Sequence, residues 1–211
     1  MNSDEILKKI EDENITFVNL WFVDIFGELH RLGMPSYAIN KASFDHGLEK
    51  LDASSIVGFK SVNNSDMILK PDPNSFRILP HDYDQGNRKN VILFCDLYEG
   101  NTENEVRYNR DSRGIAVKAS EKLSEFGLTH TNWGPEIEFF VFDTINVYPS
   151  PYAATHSYGG SGYSIESKES PWAKGNVSTA IDIKEGYYPS QPKDTLNGFR
   201  KDICDSLYKN F

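Results

Sequence analysis

Gly134-Pro135-Glu136-Ile137-Glu138-Phe139-Phe140-Val141-Phe142 is the most strand-like apolar run in the chain, and it carries two carboxylates. Side chains alternate faces along a strand, so Glu136, Glu138, Phe140 and Phe142 share one side while Ile137, Phe139 and Val141 share the other. Both sides are largely apolar, which predicts a strand covered on both faces. Two acids on a covered face carry a heavy desolvation cost unless something positive neutralises them. At roughly 3.3 Å per residue their Cα atoms stand about 6.6 Å apart, so they can ligate one hard divalent cation together or two neighbouring cations separately. The plainer alternative is the solvated side of a half-exposed strand. Phe140 and Phe142 continue that side and argue against it.

Upstream of this run, Asp111 or Ser112 caps a predicted helix with Ile115, Ala119, Leu123 and Phe126 facing inward, ended by Gly127. Downstream, residues 148–176 turn rich in Ser, Gly, Tyr and Pro, which predicts a long irregular loop. Thr195 caps a last predicted helix with Leu196, Phe199, Ile203 and Leu207 on one face. One helix, one strong strand and a loop are too little to cover both sides of that strand. The expectation is therefore that this chain is part of a larger protein, or that a partner completes the core.

The first hundred residues alternate short strands and helices. Residues 4–13 place Ile6, Leu7 and Ile10 at helical spacing behind Asp4. Residues 15–25 are β-branched and aromatic, and Phe26-Gly27-Glu28 predicts the turn of a hairpin ending near Met34. A helix is expected after Pro35 and Ser36, with Tyr37, Ala38, Phe44 and Leu48 as its apolar positions. Residues 51–59 form a small-residue loop. Met67-Ile68-Leu69, Phe76-Arg77-Ile78-Leu79 and the core-length run 91–97 follow as strands, with a turn at Pro71-Asp72-Pro73-Asn74. This is an α+β pattern, and the acidic stretch 99–105 is the best domain boundary.

Composition narrows the function classes. A net charge of -9 argues against a general nucleic-acid binder and suits a protein that uses cations. The two cysteines, Cys95 and Cys204, have no CxxC partner and are expected as buried, reduced thiols in a cytoplasmic protein. The polar, acidic start is unlike a signal peptide, and no apolar run approaches the ~20 residues of a membrane span.

Several stretches, in the right order, resemble glutamine synthetase of the bacterial and archaeal type I kind. They are Val23-Asp24-Ile25-Phe26-Gly27-Glu28-Leu29-His30, Leu51-Asp52-Ala53-Ser54-Ser55-Ile56, Asn64-Ser65-Asp66-Met67 with Pro71-Asp72-Pro73, and Arg110-Asp111-Ser112-Arg113. Gly134-Pro135-Glu136-Ile137-Glu138, Tyr163-Ser164-Ile165-Glu166-Ser167 and Gly186-Tyr187-Tyr188-Pro189 complete the set. The resemblance implies a β-grasp-like amino-terminal domain over residues 1–104. Residues 105–211 then hold the beginning of a catalytic domain built on an antiparallel sheet, incomplete here.

It implies ATP-dependent ligation of ammonia to L-glutamate through a γ-glutamyl phosphate, with Mg2+ or Mn2+ in the site and ATP as co-substrate. Glu136 and Glu138 fall on the family's metal-ligating glutamates. Asp52 falls on the loop aspartate that helps bind and deprotonate ammonium, and Asp66 on a second acid lining that site. The implied assembly is a homo-oligomer, a dodecamer, with active sites between subunits. Without the family, Asp52 reads as the stabiliser of a Ser-rich turn and Asp66 as the opening of a strand. A paralogous γ-glutamyl-amine ligase and a non-catalytic assembly module are the alternative functions. No histidine stands at metal-ligand spacing from another, and His130 and His156 read as surface or satisfied core residues.

Overall fold

The computed structural model describes residues 1–79, 89–100, 104–148, 162–171 and 178–210. It divides into two units, Met1–Asn132 with Lys209–Phe211, and Trp133–Tyr208.

The first unit opens with helix α1 (Ser3–Asp12). Its cap is Asn2 rather than Asp4: the Asn2 side chain accepts from the Glu5 amide and Glu5 returns a bond to the Asn2 amide, satisfying two of the free donors at the helix start. Ile6 and Ile10, four residues apart, are its buried stripe. The predicted hairpin forms as β1 (Phe17–Val23) and β2 (Leu29–Pro35), antiparallel from Phe17 opposite Pro35 to Val23 opposite Leu29.

The next helix is shorter and later than expected. A single 3₁₀ turn occupies Ser36–Ala38, and α2 (Lys41–Asp45) begins afresh behind the Asn40 capping box. Gly47, at a φ of +79°, then reverses the chain against the Ile68 side chain, a conformation that costs glycine little. Leu48 therefore opens strand β3 (Leu48–Asp52) instead of closing a helix.

Strands β4 (Asp66–Pro71), β5 (Arg77–Leu79), β6 (Asn90–Glu99) and β7 (Val106–Arg107) complete a seven-stranded sheet. Its order is β2-β1-β6-β4-β3, with β5 and β7 also pairing β6. β1 and β6 are parallel and the remaining pairs antiparallel. Alternation along the strands sends Val18, Leu20 and Phe22 of β1, with Val91, Leu93, Cys95 and Leu97 of β6, into one core beside Ile6, Ile10 and Phe44 from the helices. Each such side chain contributes about 1.5–3 kcal/mol by leaving water. The expected α+β, β-grasp-like architecture is what this unit has.

Asp111 ties the end of this unit to the sheet. It caps α3 (Ser112–Ser124) through the Arg113 amide at 3.1 Å, accepts from the Leu97 amide of β6 at 3.4 Å and lies 3.4 Å from the Arg107 guanidinium. Asp96 pairs with both Arg107 at 2.7 Å and Arg113 at 2.8 Å, and Arg113 also reaches Asp72. Burial pushes the Asp111 carboxyl up, opposed by the Leu97 amide and the Arg107 charge. The apolar positions predicted for this helix do not all face inward: Ile115 is 57% exposed, and Phe126, past the end of α3, is 73% exposed. Among the described residues its one fully buried position is Gly114, in the first turn against Arg107, so sequence period marks a face without supplying the layer that covers it.

In the second unit, β8 (Thr144–Tyr148) and β9 (Gly162–Glu166) pair antiparallel, Thr144 opposite Glu166. The predicted irregular loop 148–176 lies largely outside the described residues, and its segment 162–166 is strand. The last helix, α4, runs Asn197–Asn210. Thr195 does not cap it. Its amide and hydroxyl both donate to the Glu169 carboxylate, at 2.7 and 2.6 Å.

Cys95 is buried as expected, and burial pushes its thiol up, away from reactivity. Cys204 is exposed, contrary to expectation, on a helix whose predicted apolar positions Phe199 and Leu207 are exposed as well. Among the described residues no helix is long and apolar enough to cross a membrane.

Candidate active-site acids

Asp52 is the last residue of β3 and Asp66 the first of β4, and the antiparallel register sets them directly opposite each other. Residues so paired have Cβ atoms about 4.5–5.5 Å apart. Both carboxylates are exposed. Two like charges in facing positions repel, and that repulsion is relieved by a cation between them.

The ionised form of Asp52 is prepared locally. Its Oδ1 accepts from the Ser54 hydroxyl at 2.7 Å and the Ser54 amide at 3.0 Å, and Oδ2 lies 3.5 Å from the Ser55 hydroxyl. These bonds shape the 3₁₀ turn Ala53–Ser55. The Ser54 hydroxyl, followed by the Ser54 amide, holds the carboxyl below its ordinary value. The plainer readings of both residues are thus structurally correct: Asp52 stabilises a Ser-rich turn and Asp66 opens a strand. A carboxylate with its inner lone pairs satisfied by the turn still has others free for a cation.

This arrangement predicts an acid-dependent loosening. Because folded Asp52 titrates below the unfolded value of 3.8, its stabilisation of the turn is complete above that pH and is lost as pH falls through the folded value. Unfolding midpoints from pH 6 down to pH 2 are expected to drop less steeply below about pH 4 for Asp52→Asn than for the parent chain. Equal acid slopes would reject the account.

Glu136 and Glu138 differ most from expectation. Residues 128–142 form no regular element, and both glutamates are exposed. Ile137 is 80% exposed and Phe140 87%, so neither side of the run is covered. A strand exists only through hydrogen bonds to a neighbouring strand. In this unit the described sheet is β8 with β9, and neither pairs with residues 134–142. Part of the alternation persists: the Phe140 and Phe142 rings stack 6.2 Å apart, two residues apart in sequence. Phe139 instead meets Phe199 of α4 edge-on at 6.2 Å. The two carboxylates stay in water, with the hard oxygen donors a divalent cation takes but fewer than the six ligands it needs.

One cluster was not foreseen. Asp24, Glu28 and His30 bring ligand-type atoms within 4.8 Å of one another. Histidine-to-histidine spacing gives no sign of it, because the hairpin turn carries His30 back to an aspartate six residues away. Asp24 is a clasp for this turn: its Oδ1 accepts from the Phe26 and Glu28 amides at 2.8 and 2.9 Å, and Oδ2 lies 3.1 Å from His30 Nε2. Burial works to raise its pKa, but His30 and the two amides outweigh that and hold it low. His30 also stacks on Phe22 at 5.2 Å. His130 is exposed, and His156 lies outside the described residues.

Comparison with known proteins gives consistent results. Residues 14–100 match the family described as glutamine synthetase, beta-Grasp domain, and residues 109–210 match glutamine synthetase, catalytic domain. The chain is 39% identical over 210 residues to a glutamine synthetase of Sulfolobus acidocaldarius, covering 100% of this chain and 41% of the relative. It is 36% identical to that of Aquifex aeolicus, over 97% of this chain and 41% of the relative. For Escherichia coli glutamine synthetase the identity is 32%, over 97% and 42%. The chain thus spans about two fifths of the length of these relatives. In fold it is similar to a Plasmodium falciparum glutamine synthetase, with a TM-score of 0.74 at 20% identity over 99% of this chain and 40% of that one.

Proposed function

Because this chain belongs to the glutamine synthetase family, we propose that it serves the ATP-dependent ligation of ammonia to L-glutamate. The γ-carboxylate of glutamate takes the terminal phosphoryl group of ATP, releasing ADP. Ammonia then displaces phosphate from the γ-glutamyl phosphate to give L-glutamine.

The observation that supports this reading most is the facing pair Asp52 and Asp66. An exposed carboxylate held in its ionised form beside a second acid attracts an ammonium ion and can accept the proton it must lose before its nitrogen attacks. Glu136 and Glu138 would hold divalent cations, Mg2+ or Mn2+, as hard oxygen donors. Those cations, when bound, neutralise phosphate oxygens. Their exposure in this chain leaves both side chains free to exchange water for a metal, with the other donors supplied from outside the described residues.

Residues 1–104 act in this reading as the β-grasp domain and residues 105–211 as the beginning of the catalytic domain. The working form is a cytoplasmic homo-oligomer, a dodecamer, with active sites shared between subunits.

The test is glutamate-dependent and ammonia-dependent release of ADP by the full product of the gene. No turnover with ammonia, or turnover only with a polyamine or other amine, overturns the reading.

A further inference from the structure

Asp52 lies next to a loop, residues 53–65, that is anchored at a point distant from it in sequence. Within the loop, the Ala53 amide donates to the Ser65 carbonyl at 2.9 Å and the Lys60 amide to the Ala53 carbonyl at 3.4 Å. The backbone on either side of the 3₁₀ turn therefore moves with Phe59 and Lys60. Those two residues are gripped from the segment after β7 and from the end of β6. The Tyr108 hydroxyl donates to the Phe59 carbonyl at 2.7 Å, in a buried bond between residues 49 apart. The Phe59 ring meets the Tyr108 ring edge-on at 5.5 Å. Lys60 Nζ stands 5.8 Å over the same ring and pairs with Glu99 of β6. Arg110 Nη1 donates to the Gly58 carbonyl at 2.8 Å. Tyr108 is itself fixed to β6 by its amide, which donates to the Leu97 carbonyl at 2.8 Å.

Ala53 and Ile56 pack the ends of the turn into the core, while Ser54 and Ser55 between them are not buried, so the placement of the carboxylate also depends on these anchors of the loop that follows. We propose that Tyr108, with Arg110 in support, is the positioning residue for the ammonium-binding carboxylate of Asp52. This rests on the proposed function. Tyr108 is itself buried. Its hydroxyl holds Phe59, and Phe59 and Lys60 hold the backbone from which Asp52 faces Asp66.

Two measurements test it. The first is hydrogen exchange in this chain with Tyr108→Phe, which removes only the hydroxyl. Protection at the Ala53 and Lys60 amides is expected to fall about ten-fold, as for the loss of one buried hydrogen bond, with the Leu20 amide of β1 unchanged. Arg110→Gln, at an exposed side chain, guards against a variant that fails to fold and is expected to lower the same protections about three-fold. The second is steady-state kinetics of the full gene product with ammonium chloride. Tyr108→Phe is expected to raise the ammonium KM about ten-fold, with kcat within about two-fold and the glutamate KM unchanged. Unchanged protection overturns the anchoring, and loosened loop amides with an unchanged ammonium KM overturn the positioning role. Asp52→Asn separates this failure from a wider one: if it too leaves ammonium saturation untouched, the function assigned to Asp52 is what falls.

Discussion

Glu136→Gln and Glu138→Gln are each expected to lower ADP release by the full gene product at least about a hundred-fold, while leaving the thermal midpoint of this chain unchanged. The two halves of that result have separate physical origins. Replacing groups that merely orient metal ligands already costs about 10–100-fold, so losing the charge and one donor oxygen of a ligand itself should cost no less. The change is isosteric and sits on an exposed, irregular segment, where substitutions usually alter stability by no more than about 0.5 kcal/mol. A variant that melts earlier would mean that the carboxylates bear on the fold of this chain. Full activity at normal stability would mean that they hold no cation the reaction needs. Partial rescue by raised Mg2+ or Mn2+ is the further signature of a weakened metal site.

The largest effect on stability is expected from Leu93→Ala, at about 2–5 kcal/mol. Leu93 is fully buried in β6, the strand that pairs β1, β4, β5 and β7, and its side chain sits in the shared core opposite Leu20 of β1. Truncation removes the transfer contribution and leaves a cavity that a central strand, bonded along both edges, cannot collapse to fill. A domain's whole stability is about 5–15 kcal/mol, so the urea midpoint should fall by a large fraction. A loss below about 1 kcal/mol would show that the core around β6 repacks freely, contrary to the burial seen.

The catalytic-type acids differ in how far they could be read. Asp52 and Asp66 stand fourteen residues apart, and nothing local joins them; the resemblance marked each one separately. Their juxtaposition comes from the β3–β4 register, which depends on where Gly47 reverses the chain and on the shift in pairing between Glu49 and Leu51. The Asp24–His30 clasp was hidden for a similar reason, since only the closed hairpin brings those residues together. Tyr108 carried no signal at all, because a tyrosine hydroxyl's acceptor is chosen by tertiary packing.

What the chain's order of residues determined alone is the set of features that close within a few positions. The Ser54 bond to Asp52, the hairpin turn at Gly27, the start of α3 at Asp111 and the place of β6 in the core all follow from local hydrogen bonds and an unbroken apolar run. Tertiary structure alone decided whether an amphipathic or apolar stretch acquires a covering layer. The run 134–142 has the composition of a core strand and is nevertheless irregular and exposed, as is much of the apolar face of α3. Periodicity specifies which side chains point together, whereas strand and layer are pairwise objects that come into being only when a second segment supplies the opposing hydrogen bonds and surface.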